Sequence, residues 1–432
     1  MLNLDLQNLF KIDATHGLSQ EEIQSKVSMI PEYLNKIKDR DQDFYKTIDD
    51  LDVVEKINNY AQSIEGQFDD IVLLGIGGSS LGPICLQQSL KHLYEHELKD
   101  RKYPKLHVLD NIDPALIQAT EDIINYERTL FIVITKSGGT PETLSQYFYF
   151  RDQADQKKLD AKKHFVFVTD PMKGLLRRIS EEEGITAFDV PPKVGGRFSV
   201  LTAVGLLPAR LIGINIEELL EGARVMRDSF LSEDYDNNYS FQLAAIQYLL
   251  GEKGKIMNIM WPYNQKLVRF ADWFRQLLAE SIGKKVNDQG EEVHVGLTPV
   301  FALGATDQHS QSQLYNEGPN DKFFIFIDVK NLGPEIKIPN LFPEEEVVDY
   351  LKDVSFNKLL QTEKEGTAGA LNKNDRPNIT IQIETVNERF LGELFMLFEG
   401  ATAFLGEFYG INAFDQPGVE LSKNLTKEML RK

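Results

Sequence analysis

The sequence predicts a doubly wound α/β fold, a parallel sheet with helices on both faces, followed by a second α/β unit. Three observations predict it. Short apolar, β-branched runs of strand length recur at Ile71–Leu74, Leu106–Leu109, Leu130–Ile134, Phe165–Val168 and Ile185–Val190, and stretches of helical periodicity separate most of them. Two of these runs lead straight into turns rich in glycine and hydroxyl groups, the place where open parallel sheets bind ligands. The length of 432 residues is enough for two or three domains with ample core.

In chain order, residues 1–66 read as helical, and Ser19 with Glu22 forms a capping box ahead of Ile23 and Val27. The first strand ends at Gly75–Pro83, GIGGSSLGP, whose glycines admit close backbone approach and whose Ser79 and Ser80 add hydroxyls. It is neither a dinucleotide fingerprint, since Ser80 stands at the third glycine position, nor a P-loop, since no Lys follows. By itself it is a weak signal. The stretch Leu130–Leu144 is a stronger one. Its apolar strand gives way to Thr135, Lys136, Ser137, Gly138, Gly139 and Thr140. Thr140 then fits an N-cap and Pro141 the first helical position. Backbone N–H groups, the positive end of a helix dipole and three hydroxyls converge there, which points to an anion site, most naturally for phosphate, with ordinary turn chemistry as the plain alternative.

Val194–Ser199, VGGRFS, follows Pro191 and Pro192; its glycines, Gly196 among them, let the backbone lie against a ligand while Arg197 reaches it. Spacing alone leaves a solvated surface arginine equally open. Val200–Ile212 reads as an apolar helix leaving the first domain. The second α/β unit begins with a strand at Ile256–Trp261 and an amphipathic helix at Gln265–Glu280. Glu280 closes that helix and Gly283 is placed to terminate it. A carboxylate at that end opposes the helix dipole, and such local conflicts tend to mark function; a solvated Glu beside Lys284 and Lys285 is the plain alternative. His309 sits among polar residues in Ala305–Leu314, where Thr306 or Asp307 can cap a short helix. Phe323–Val329 and Ile379–Ile383 are further strands. The apolar helix Phe390–Phe408 carries Gly392, Gly400 and Gly406, which allow close helix contact within the domain or between subunits. Pro417 can start a last helix with Leu421, Leu425 and Met429 as its core stripe and Lys423 pointing away.

Composition excludes several classes. The net charge of −19 and the absence of any basic run argue against nucleic acid. In so acidic a chain, single Lys and Arg residues in glycine-rich turns carry more weight. Cys85 is the single cysteine, so no intrachain disulfide can form, and it reads as a small buried apolar residue. Neither a signal peptide nor a membrane span is visible, and the reducing cytoplasm is the expected location. None of the seven histidines falls in a metal-ligand pattern, so no metal is expected.

Six segments, GIGGSSLGP, TKSGGTPETL, VGGRFS, ESIGK (280–284), DQHS (307–310) and FDQPGVELSKN (414–424), taken in this order, closely resemble the phosphoglucose isomerase family from about residue 65 to the C-terminus. The resemblance implies two flavodoxin-like sugar-isomerase domains with helical extensions: a small one over 45–210 and a large one over 211–432, with 1–44 packing on the latter. It implies a cofactor-free dimer that interconverts glucose 6-phosphate and fructose 6-phosphate. Ser79, Thr135, Lys136, Ser137 and Thr140 would hold the phosphate, with Lys136 contributing mainly its backbone N–H. Glu280 would be the base between C1 and C2, and Arg197 would stabilise the cis-enediol(ate). His309, donated across the dimer interface, and Lys423 would open the ring, with Gln416 beside them. Where many relatives carry a hydroxyl in the phosphate turn this chain has Gly139, so one phosphate contact is expected to be missing. A mannose 6-phosphate or amino-sugar phosphate isomerase, and a non-catalytic sugar-phosphate sensor, are the competing readings. A sensor has no need of Glu280, Arg197 and Lys423 together.

Overall fold

The computed structural model describes residues 1–431. In chain order the strands are β1 Asn3–Asp5, β2 Asp70–Leu74, β3 Lys105–Leu109, β4 Thr129–Thr135, β5 Phe165–Thr169, β6 Ala187–Asp189, β7 Met257–Pro262, β8 Lys284–Val286, β9 Glu292–Val295, β10 Thr298–Phe301, β11 Lys322–Val329 and β12 Asn378–Ile383. The chain divides into two compact units.

The first unit comprises Lys38–Arg227 with Leu391–Glu399. Its sheet runs β3-β2-β4-β5-β6 with every pairing parallel, the flavodoxin-like order, so the strand order reverses between β2 and β4. Strands covered on both faces lose the polar alternation of a half-exposed sheet, and β4 is accordingly buried at all seven positions. Phe131 and Phe165 stack at 5.0 Å across β4 and β5, and Phe150 and Tyr147 of the helix Pro141–Gln156 close over them. Residues 211–227, placed by sequence in the second domain, group with this unit. The helix Ile216–Phe230 explains it: Arg224 donates to the Ile48 carbonyl at 2.8 Å, and a Cβ on Gly392 would strike the Leu219 carbonyl oxygen at 1.9 Å. Cys85 is fully buried in this unit, as expected of a small apolar residue.

The second unit comprises Met1–Ile37, Asp228–Phe390 and the chain from Gly400. Its sheet runs β1-β12-β11-β7-β10, parallel except for β1, which pairs antiparallel with β12 from Asn3↔Gln382 to Asp5↔Thr380. The sequence pattern reads residues 1–66 as helical, and β1 departs from that reading. Three residues are too few to display periodicity, and only the open edge of β12 makes them a strand. The capping box is as read: Glu22 N–H donates to Ser19 Oγ at 3.1 Å, and Ser19 N–H to the Glu22 carboxylate at 2.7 Å. Trp261, Tyr263, Phe324 and Phe326 form the aromatic core of this unit.

In the C-terminal region the structure decides between the two alternatives for the apolar helix and corrects the reading of the last helix. The apolar helix, Glu388–Tyr409, has its glycines satisfied inside the chain: Gly392 against Leu219, Gly400 against Phe230 and Ser240, Gly406 against Ala413. Its apolar length therefore answers to core packing and leaves no glycine face over. The last helix, Glu420–Leu430, has no core stripe in this chain, since Leu421 is 69 % and Met429 70 % exposed.

Glu399, in the middle of the long apolar helix, is fully buried, and neither carboxyl oxygen has a hydrogen-bond partner. Burial drives it well above its ordinary value of 4.5, so the folded protein holds a neutral acid there. A folded-state value raised in this way confers stability at acid pH that is lost as pH rises. Each pH unit above the unfolded value of about 4.3 removes ~1.4 kcal/mol for as long as the folded group keeps its proton. Glu399→Gln removes the titration with little change of shape. The gap in Tm between Glu399→Gln and wild type is expected to widen in favour of the variant from pH 5 to pH 8; a gap independent of pH would show that Glu399 titrates as an ordinary carboxylate.

Candidate functional site

In the first unit the hydroxyl-rich turns occupy the carboxyl ends of β2 and β4, at the point where strand order reverses. Thr135 closes β4 and Pro141 opens the following helix. Thr140 holds the N-cap position, yet its hydroxyl does not cap the helix. It pairs instead with Thr135 Oγ1 at 2.8 Å, while Ser137 Oγ lies 3.4 Å from Thr135 Oγ1 and 3.5 Å from Thr140 Oγ1. Three hydroxyls thus form a triangle in front of an uncapped helix N-terminus, the arrangement an anion of several oxygens can exploit. Gly138 allows the turn: its φ is +61°, and a Cβ there would come within 2.9 Å of Gly174. At Gly139 a side chain would meet only Ser137, at 3.9 Å, so the hydroxyl missing from this position is not excluded by packing.

Lys136 does more than the resemblance implied. Its ammonium donates to the carbonyls of Pro192 at 2.8 Å and Val194 at 2.7 Å, and burial lowers its pKa from the ordinary 10.5. The side chain fastens the anion turn to the loop that carries Arg197. Arg197 is 4 % exposed, and its guanidinium carbon lies 5.6 Å from the centre of the Phe198 ring. This excludes the solvated surface arginine that spacing had left open. The Gly77–Ser79 turn packs directly on Gly196–Phe198: a Cβ on Gly78 would strike the Gly196 carbonyl at 2.2 Å. Ser79 Oγ, partly exposed beside it, has no protein partner among the described residues. The first unit therefore brings Ser79, Thr135, Lys136, Ser137, Thr140, Gly196 and Arg197 together.

In the second unit the helix over the predicted span begins as a 3-10 turn, Gln265–Leu267, and continues as Val268–Ile282, with Glu280 in its last turn. Gln276 Nε2 donates to Glu280 Oε1 at 3.2 Å. Lys284, which the sequence reading treated only as a neighbour of Glu280, is 8 % exposed. Its ammonium donates to the carbonyls of Glu280 at 2.8 Å, Ser281 at 2.9 Å and Asp415 at 2.9 Å. A cation at the negative end of the helix satisfies its last carbonyls, and here it also ties Glu280's turn to the loop that carries Gln416. The signal was present in the sequence as a lysine immediately after the terminating Gly283.

Lys423 lies on the exposed last helix and pairs with Glu420 at 2.8 Å. His309 ends the 3-10 turn Thr306–His309 and is exposed. Asp307 accepts from Leu303 N–H at 2.7 Å, and Tyr263 Oη donates to Gln308 Oε1 at 3.0 Å, so the turn is braced. His309 is not brought to Glu280. β7 and β10 are parallel and aligned at Met257↔Thr298, and the helix between them returns antiparallel along about 22 Å for its 15 residues. Glu280 therefore lies toward the amino ends of these strands, while His309 follows the carboxyl end of β10.

The profile of the family described as phosphoglucose isomerase matches residues 16–432. This chain belongs to the phosphoglucose isomerase family. It is 47 % identical over 381 residues to a glucose-6-phosphate isomerase of Carboxydothermus hydrogenoformans, covering 87 % of this chain and 82 % of that one. It is 31 % identical to the glucose-6-phosphate isomerase of Methanocaldococcus jannaschii over the whole of both chains. Among solved structures, a hypothetical protein from Thermus thermophilus superposes over both full chains with a TM-score of 0.88 and 32 % identity. A glucose-6-phosphate isomerase from Chlamydia trachomatis shares the fold, with a TM-score of 0.81 and 21 % identity over 96 % of this chain and 87 % of that one. No helix among the described residues of this family member is long and apolar enough to cross a membrane.

The hydroxyl triangle gives a direct test. Loss of one hydrogen bond to a charged group costs about 1.5–3 kcal/mol, so Thr140→Val is expected to weaken binding of an acyclic sugar phosphate by roughly ten- to a hundredfold in calorimetry. Because Thr140 does not cap its helix, the fold should tolerate the change. An unchanged dissociation constant would move the phosphate elsewhere.

Proposed function

We propose that the chain is a glucose-6-phosphate isomerase that interconverts glucose 6-phosphate and fructose 6-phosphate through a cis-enediol(ate), without a cofactor. The observation that carries this reading is the triangle of Thr135, Ser137 and Thr140 hydroxyls in front of an uncapped helix N-terminus, fastened through Lys136 to the loop of a buried arginine. The phosphate, bound there with Ser79, supplies binding energy remote from the reacting carbons and fixes their position. Glu280 carries the proton between C1 and C2 on one face of the planar intermediate. Arg197 stabilises the oxyanion that develops. Ring opening needs a proton removed from the C1 hydroxyl and one delivered to the ring oxygen, the tasks of His309 and Lys423, with Gln416 positioning the sugar.

The same reading makes the active unit a dimer in which His309 acts on the partner's substrate. Its support is the separation of His309 from Glu280 at opposite ends of β10, together with apolar surface that this chain does not cover. Phe342 is 66 % exposed, Tyr350 74 % and Leu421 69 %, large apolar side chains that an association surface would cover.

Two experiments test the assignment. Glu280→Gln should abolish exchange of the C2 proton with solvent while binding of a sugar-phosphate inhibitor stays nearly unchanged; undiminished exchange would remove Glu280 as the base. For the dimer, Glu280→Gln and His309→Ala chains are unfolded together and refolded as an equal mixture. Action in trans gives each mixed dimer one site with both wild-type groups, so random pairing restores about a quarter of wild-type activity. Action in cis restores nothing, and an inactive mixture proven to contain heterodimers would overturn the trans arrangement.

A further inference from the structure

The first unit holds a cavity of ≈160 Å³ at the amino ends of its central strands, the end opposite the anion turn. Ile71 and Leu130, each the second residue of its strand, form the floor, and Phe68, Leu211 and Tyr103 line the walls. Thr135 of the anion turn lies five residues further along β4, about 17 Å away at the usual strand rise. The two places are therefore distinct.

Two basic groups line the cavity. Arg210, in the last turn of the helix Ala203–Leu211, is half-buried. Its Nε donates to Asn58 Oδ1 at 2.7 Å, and Asn58 Nδ2 donates to Glu217 Oε1 at 2.6 Å. This chain of hydrogen bonds fixes the plane of the guanidinium and leaves its two terminal nitrogens with no protein partner among the described residues. The Lys102 ammonium lies 5.1 Å over the Tyr103 ring and pairs with no carboxylate among the described residues. Glu65 is the one carboxylate on the lining, and it is exposed. In a chain of net charge −19, an oriented guanidinium without a carboxylate partner is an unfilled fork for an anion. Phe68, Ile71, Leu130 and Leu211 place apolar side chains behind it, and a cavity of about 150 Å³ can hold a benzene ring.

We propose that this cavity binds a small organic carboxylate with an apolar body of about benzoate size, the carboxylate on the free side of Arg210 and the body among Phe68, Ile71, Leu130 and Leu211. The inference does not rest on the isomerase reading. Benzoate is titrated into the full chain by calorimetry, with benzamide as its neutral counterpart. Benzoate is expected to bind saturably and about tenfold or more tighter than benzamide. Arg210→Gln should remove that preference, and saturating fructose 6-phosphate should leave benzoate binding unchanged. Ile64→Trp, at a partly exposed wall position, fills the cavity while keeping Arg210, and should abolish binding of both probes; it serves equally if Arg210→Gln fails to fold. Absence of benzoate binding, equal binding of benzamide, binding that survives Ile64→Trp, or displacement by the sugar phosphate would each overturn the proposal.

Discussion

A single half-buried ammonium joins the hydroxyl triangle to the loop of Arg197. Lys136 reaches from the turn after β4 to the carbonyls of Pro192 and Val194, and so fixes the distance between the hydroxyl triangle and the loop of Arg197. Its hydrogen-bond partners are neutral carbonyls, and the nearest opposite charge is the buried Asp170 carboxylate. In a chain of net charge −19, a lysine placed in this turn adds positive charge where most of the surface is acidic. The Gly77–Ser79 turn can close on the same loop because Gly78 has no side chain to meet the Gly196 carbonyl. Three turns, distant in sequence, become one rigid wall at the point where the strand order reverses.

Lys284 plays the matching part in the second unit. It ends the Glu280 helix by occupying carbonyls that no residue beyond Gly283 can satisfy, and it binds the Asp415 carbonyl in the same step. Glu280 is therefore held by the end of a helix whose last turn is fixed, a more precise platform for a side chain than a free loop. Both units use a lysine ammonium that donates to neighbouring backbone carbonyls, and Lys284 also lies 3.6 Å from the Asp415 carboxylate.

The neutral acid Glu399 is of another kind. It sits in the longest apolar helix, where an aliphatic residue would pack at less cost, and it takes no part in either cluster of site residues. The exposed Phe342, Tyr350 and Leu421 are also costly for an isolated chain.

The sequence by itself determined the fold class and most of the strands, because parallel strands buried on both faces are continuous apolar runs and the helices between them keep their own period. It also placed hydroxyls, glycines and a proline at the opening of a helix, and the structure brings the Thr135, Ser137 and Thr140 hydroxyls together there. Strand β1 was not legible, because three residues carry no period and only an open sheet edge gives them one. The helical stripe of Leu421 and Met429 was legible as a pattern, yet a pattern names an apolar face and not what covers it. The ends of the first unit were also hidden, since residues 211–227 are bound to it by Arg224 and by the fit of Leu219 against Gly392. The tertiary structure alone decided the state of the charged groups. Whether Arg197 is solvated or buried, and whether Lys136 and Lys284 point to water or to backbone carbonyls, depends on which distant loop arrives beside them. A local sequence specifies its own backbone, but the partners of a buried charge come from chain that lies far away.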